Sequence, residues 1–120
     1  MMKKITLAVL ALVIVLVGCK SDGVDFSMET APGYKDGKAF PIVIKAVDGS
    51  QSVTGLKITA SLEMAKMDHG TIELQFTDNG DGTYQGEVEL PMAGEWIADI
   101  HAEKDGNIYE DSVVFDVEAE

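Results

Sequence analysis

The residues best suited to chemistry are thioethers and imidazole. Met64, Met67 and His69 form a Met-x-x-Met-x-His run between Glu63 and Gly70, and Met92 lies in a second corner, Pro91-Met92-Ala93-Gly94-Glu95-Trp96. Soft, polarisable sulfur combined with imidazole favours a soft monovalent ion, Cu(I), over zinc, magnesium or calcium. Met67 and His69 lie in a polar loop where no core explains them, with Asp68 placed to shape it. Met64 and Met92 have a second reading as core filler. Met64 continues the inward parity of Leu56, Ile58, Ala60 and Leu62, and Met92 that of Val88 and Leu90.

Other chemistry is thinner. His101 shares an outward parity with Asp99 and Glu103 and lies about 16 Å along its strand from Trp96, at about 3.3 Å per residue. It reads as a surface histidine, the alternative being a second metal site with acidic neighbours. Asp78-Asn79-Gly80-Asp81-Gly82 fails as a calcium loop, because Gly80 and Gly82 occupy ligand positions and Thr83 replaces the needed glycine. A hairpin turn is the expectation there. Two histidines on separate elements and no arginine leave little for nucleophilic or phosphoryl chemistry, so an enzyme is not expected.

The elements that must position these residues are strands. Apolar and polar residues alternate over Leu56–Leu62, Ile72–Thr77, Tyr84–Leu90 and Trp96–Glu103, and again at Val113, Phe115 and Val117. Val24–Thr30 and Phe40–Val47 complete the set. Asp36-Gly37, Asp48-Gly49, Asn79-Gly80, Ala93-Gly94 and Asp105-Gly106 punctuate it as turns. About seven short strands predict an all-β, immunoglobulin-like antiparallel sandwich over residues 24–120. Tyr84, Trp96 and Phe115 are expected in its core. If each connection reverses the chain, residues 31–39 with Tyr34, 63–71 and 91–95 share one end of the sandwich. Met64, Met67, His69 and Met92 would then converge.

The start of the chain has a different character. Lys3 and Lys4 precede an apolar run from Ile5 to Val17, then Gly18 and the single cysteine, Cys19. A positive start, a short apolar run and a small-residue cleavage region make a secretory signal, and the run is too short to cross a bilayer as a helix. Leu16-Val17-Gly18-Cys19 resembles the lipobox of bacterial lipoproteins. That resemblance implies cleavage after residue 18, lipid on Cys19, and a tether over 19–23 that holds the protein at a cell or outer membrane on its extracytoplasmic face. Two or more acyl chains suffice for stable attachment.

Composition agrees with such a setting. The 120 residues carry 21 acids against nine basic residues, all lysine, for a net charge of −12. So acidic a surface repels nucleic acid and anionic headgroups, leaving lipid rather than a basic patch to make the membrane contact. With Cys19 lipidated, the domain has no disulfide, thiolate nucleophile or thiolate metal site.

A family resemblance covers residues from about Glu29 to Glu118. Its motifs are Glu29-Thr30-Ala31-Pro32 leading to Gly37, Val47-Asp48-Gly49, the Met64–His69 loop, and Asp81-Gly82-Thr83-Tyr84. The most specific is Leu90-Pro91-Met92-Ala93-Gly94-Glu95-Trp96. Together they resemble the YtkA-like/FixH-like domain family of small extracytoplasmic proteins. The resemblance implies an immunoglobulin-like sandwich and, for some relatives, copper handling that includes cytochrome oxidase maturation. FixH-type proteins carry a membrane-spanning helix, whereas this chain looks lipid-anchored. The expected function is Cu(I) binding at Met64, Met67, His69 and Met92, for sequestration or delivery to an envelope protein partner. The alternative is a metal-free interaction module.

Overall fold

A computed structural model describes residues 23–66 and 70–120. The leader, Cys19, and Met67, Asp68 and His69 lie outside the described residues. Nine strands follow in chain order: β1 Asp25–Thr30, β2 Phe40–Asp48, β3 Gln51–Ser52, β4 Lys57–Met64, β5 Ile72–Gln75, β6 Thr77–Asp78, β7 Thr83–Val88, β8 Gly94–Lys104 and β9 Asn107–Val117. They form two antiparallel sheets. One has the order β1-β2-β7-β6 with β3 on β2, the other β5-β4-β8-β9. This is the Greek-key connectivity of an immunoglobulin-type sandwich. No helix among the described residues is long and apolar enough to cross a membrane.

Period-two alternation builds the core. Ile42, Ile44 and Ala46 of β2, Ile58, Ala60 and Leu62 of β4, and Trp96, Ala98, Ile100 and Ala102 of β8 are all buried, while their chain neighbours face out. Each large apolar side chain so enclosed contributes about 1.5–3 kcal/mol. Tyr84, wholly buried, has a polar task as well. Its hydroxyl donates to Val53 O at 2.7 Å and accepts from Leu56 N at 3.2 Å, tying β7 to the crossing between the sheets. Tyr84, Trp96 and Phe115 are thus all core aromatics, as the alternation requires.

Strands form at all seven expected places, β3 is a two-residue addition, and β6 is the end of an expected strand. The stretch expected as one strand, Ile72–Thr77, divides between the sheets. Ile72–Gln75 pairs with β4, Phe76 N–H donates to Ile58 O at 3.0 Å, and Thr77-Asp78 then pairs with β7. β9 starts six residues before Val113 because the Asp105-Gly106 turn dictates register. Both residues have positive φ, 49° and 84°, the geometry of a two-residue primed hairpin turn. Pairing then runs unbroken from Lys104↔Asn107 to Gly94↔Val117.

Candidate metal centre

The strand directions gather the connections as the alternation argument requires. β4 ends where β8 begins, with Met64 opposite Trp96, and β8 begins where β9 ends, with Gly94 opposite Val117. Phe40 of β2 lies opposite Val88 of β7, so the 31–39 and 89–93 connections share an end of the first sheet. A parallel bridge joins the two sheets there: Tyr34 N–H donates to Glu118 O at 2.9 Å, and Glu120 N–H to Tyr34 O at 2.8 Å. Asp25, where β1 starts, pairs with Val47 at the opposite end.

Met64 and Met92 are both half-buried at the gathered end. They flank Trp96, which is 1% exposed and donates its indole N–H to Met92 O at 3.2 Å. Ala65 N–H donates to Glu95 O at 2.9 Å, continuing the β4–β8 contact past the last paired strand residues. Gly94 makes the corner fit. Its φ of +133° suits glycine, and a Cβ placed there would come within 3.0 Å of the Met64 Cε. The Met64 methyl therefore rests against backbone at the foot of the Met92 corner. The structure brings Met64 and Met92 to one corner, and each keeps part of its surface exposed.

Met67 and His69, the other two candidate ligands, are outside the described residues. Lys66 precedes them and is exposed; β5 begins at Ile72, opposite Leu62. Among the described residues there is one further methionine. Met28, half-buried near the end of β1, follows the inward parity of Val24 and Phe26 and pairs with Ile44, just before a register shift at Thr30. Its parity was readable, but nothing local distinguished it from core filler.

His101 faces outward on β8. Its Nε2 lies 3.0 Å from a Glu103 oxygen and its Nδ1 3.2 Å from a Glu110 oxygen. Hydrogen bonds to Glu103, and then to Glu110, raise its pKa above the usual imidazole value. The carboxylates occupy opposite sides of the ring, so they cannot meet one ion at one nitrogen. Among the described residues no group of three or more His, Cys, Asp or Glu side chains is arranged to hold a metal. His101 is a surface histidine with two acidic partners.

The Asp78–Thr83 segment is a turn. Asp78 accepts from Gly55 N and Gly80 N, each at 2.7 Å, and Asp81 accepts from Thr83 N at 3.0 Å and Thr83 Oγ1 at 2.6 Å. Those last two bonds hold the Asp81 carboxyl below its ordinary pKa. The carboxylates are engaged in fixing the backbone.

A family model described as YtkA-like matches residues 19–101. No match was found among curated proteins. Among solved structures, an endo-beta-1,4-mannanase from Thermotoga petrophila is similar at a TM-score of 0.46 and 17% identity, covering 86% of this chain and 21% of that one. The chain thus spans about a fifth of that enzyme's length.

Proposed function

The chain belongs to the YtkA-like family, and from that premise we propose a lipid-anchored extracytoplasmic protein that binds Cu(I) through methionine and histidine. Its role is to sequester the ion or pass it to a membrane partner. The observation that carries this reading is the corner where Met64 and Met92 flank Trp96, half-buried and at the same end of the sandwich. Core filler alone would not require two thioethers to retain exposed surface, and the chain carries a third thioether and an imidazole within five residues of Met64. Met67 and His69 are the primary ligands and Met64 and Met92 complete the set.

The donor chemistry fits a carrier. Neutral thioethers suit a soft ion but gain less from its charge than thiolates do, so the ion is held and still exchanges. No proton has to leave methionine for the metal to bind, and binding through sulfur stays insensitive to pH. The acidic surface attracts a cation without itself supplying soft ligands. Cys19 carries the lipid, and residues 20–23 reach at most about 14 Å, at about 3.5 Å per residue. With β1 starting at the end opposite Met64 and Met92, the methionine corner faces away from the membrane.

The test is a Cu(I) titration of residues 20–120 against a competing chelator. Competition by the parent that is lost in Met67→Leu/His69→Ala supports the site. A parent that never competes overturns it and leaves a metal-free module.

A further inference from the structure

Five strands have a single partner in the two sheets, and they are unequal. β5 has four residues, β3 and β6 two each, and β1 six with a register shift near its end. β9 has eleven, paired to β8 in unbroken register. A long, regular edge is what natural sheets usually avoid, because its free backbone groups template another strand.

The free groups can be assigned. The two-residue turn makes Lys104 and Asn107 the hydrogen-bonded closing pair, so odd-numbered β9 residues bond to β8 and even-numbered ones direct N–H and C=O outward. The tail keeps this parity: Glu118 and Glu120 use their outward groups to bond Tyr34. Ser112 keeps it too, its N–H being taken by the Asp111 carboxylate at 2.8 Å. Ile108, Glu110 and Val114 therefore present the rest of the edge, since Asp116 lies beside Ala31, Pro32 and Gly33. Ile108 and Val114 are 56% and 57% exposed, the two large apolar side chains most open to solvent among the described residues.

Charge selects the occupant. From Asn107 to the last residue the chain has Glu110, Asp111, Asp116, Glu118 and Glu120 and no lysine. A second copy of this edge would set carboxylates against carboxylates, whereas a cationic strand would meet them favourably. We infer that the outer edge of β9 docks an extended, lysine- or arginine-bearing segment of a partner protein as an added strand. Ile108 and Val114 supply apolar contacts, and the acidic side chains select against a second copy. The inference is independent of copper binding, since β9 contains none of the candidate ligands.

The probe is a synthetic peptide of roughly ten residues alternating lysine and valine, with a glutamate–valine peptide as control. Each is titrated into the isotope-labelled full chain in detergent micelles, and amide shifts and exchange rates are read. The lysine peptide should bind at least about tenfold more tightly than the control. It should slow exchange at Ile108, Glu110 and Val114 in particular. Val114→Pro removes an outward donor at little expected cost to an edge strand and should abolish binding. Glu110→Lys, which leaves the backbone intact, should weaken it and provides a second check if the proline variant does not fold. Absence of binding overturns the inference. So does binding unaffected by these changes, which is attraction to an acidic surface, or self-association of the chain through β9.

Discussion

Replacing Gly94 by alanine tests the geometry of the methionine corner. The structure imposes two separable penalties. At φ +133° an L-residue is strained, at about 1–3 kcal/mol for so sparsely populated a region. In addition, the new Cβ would lie within 3.0 Å of the Met64 Cε, so the methionine must move. That adjustment is cheap because the methyl ends a flexible side chain. The backbone penalty should dominate, and for a domain of this size about 2 kcal/mol lowers Tm by roughly 8–16 °C. Thermal unfolding followed by Trp96 fluorescence measures the total. A double-mutant cycle with Met64→Ala separates the parts, since the contact vanishes in the Met64→Ala background and the strain remains. The expected coupling is below about 1 kcal/mol, with most of the Gly94→Ala loss retained. A Gly94→Ala protein that melts with the parent would refute the left-handed corner.

Tyr84→Phe should lower stability by about 1–3 kcal/mol, because the buried Leu56 N–H and Val53 O lose their partner; an unchanged denaturant midpoint would contradict the hydroxyl bridge. Met64→Leu and Met92→Leu nearly conserve volume and should each cost under about 1.5 kcal/mol of stability. If both sulfurs serve as ligands, each swap should weaken Cu(I) binding by about tenfold, or about 1.4 kcal/mol, and undiminished affinity in both would restrict the site to the 67–69 loop. His101 has a folded pKa raised by Glu103 and Glu110, so its stabilising contribution is fully present below the unfolded value of about 6.5 and is lost as pH rises through the folded pKa. An NMR titration should place the His101 midpoint above that of the Glu103→Gln/Glu110→Gln variant; equal midpoints would remove both carboxylates from the account.

Much of the sandwich is legible in the chain because one buried face imposes a period of two. Leu56, Ile58, Ala60 and Leu62 disclose a strand without any knowledge of its neighbours. The same pattern cannot report which sheet accepts the hydrogen bonds. Ile72, Leu74 and Phe76 alternate straight through the point where the chain leaves β4 for β7. The first half of β9 is silent for another reason. Glu110, Asp111 and Ser112 are exposed on an edge, and a turn rather than burial sets their register. Tyr84 reads as an aromatic core residue, but its partners lie 28 and 31 positions away. At the candidate centre, strand reversal alone brings Met64 and Met92 to one end. Their contact with the Gly94–Trp96 corner depends on a positive φ, signalled only by the glycine itself, and on an indole hydrogen bond that has no local signature.

The bridge between Tyr34 and the tail has a mechanical consequence. The described chain enters at one end of the sandwich, and its last strand finishes at the other, where Glu118 and Glu120 grip Tyr34. Were the molecule pulled between a tether below β1 and a load at the far end, the force would run along the strands. β1 would slide against β2 with its hydrogen bonds loaded together, and the tail would slide against the 31–39 connection in the same way. Shearing a ladder demands simultaneous rupture, whereas peeling a hairpin breaks one bond at a time. A domain built this way, if held below β1, would resist a pull along its strands and yield more readily to a sideways tug that unzips β9 from its turn.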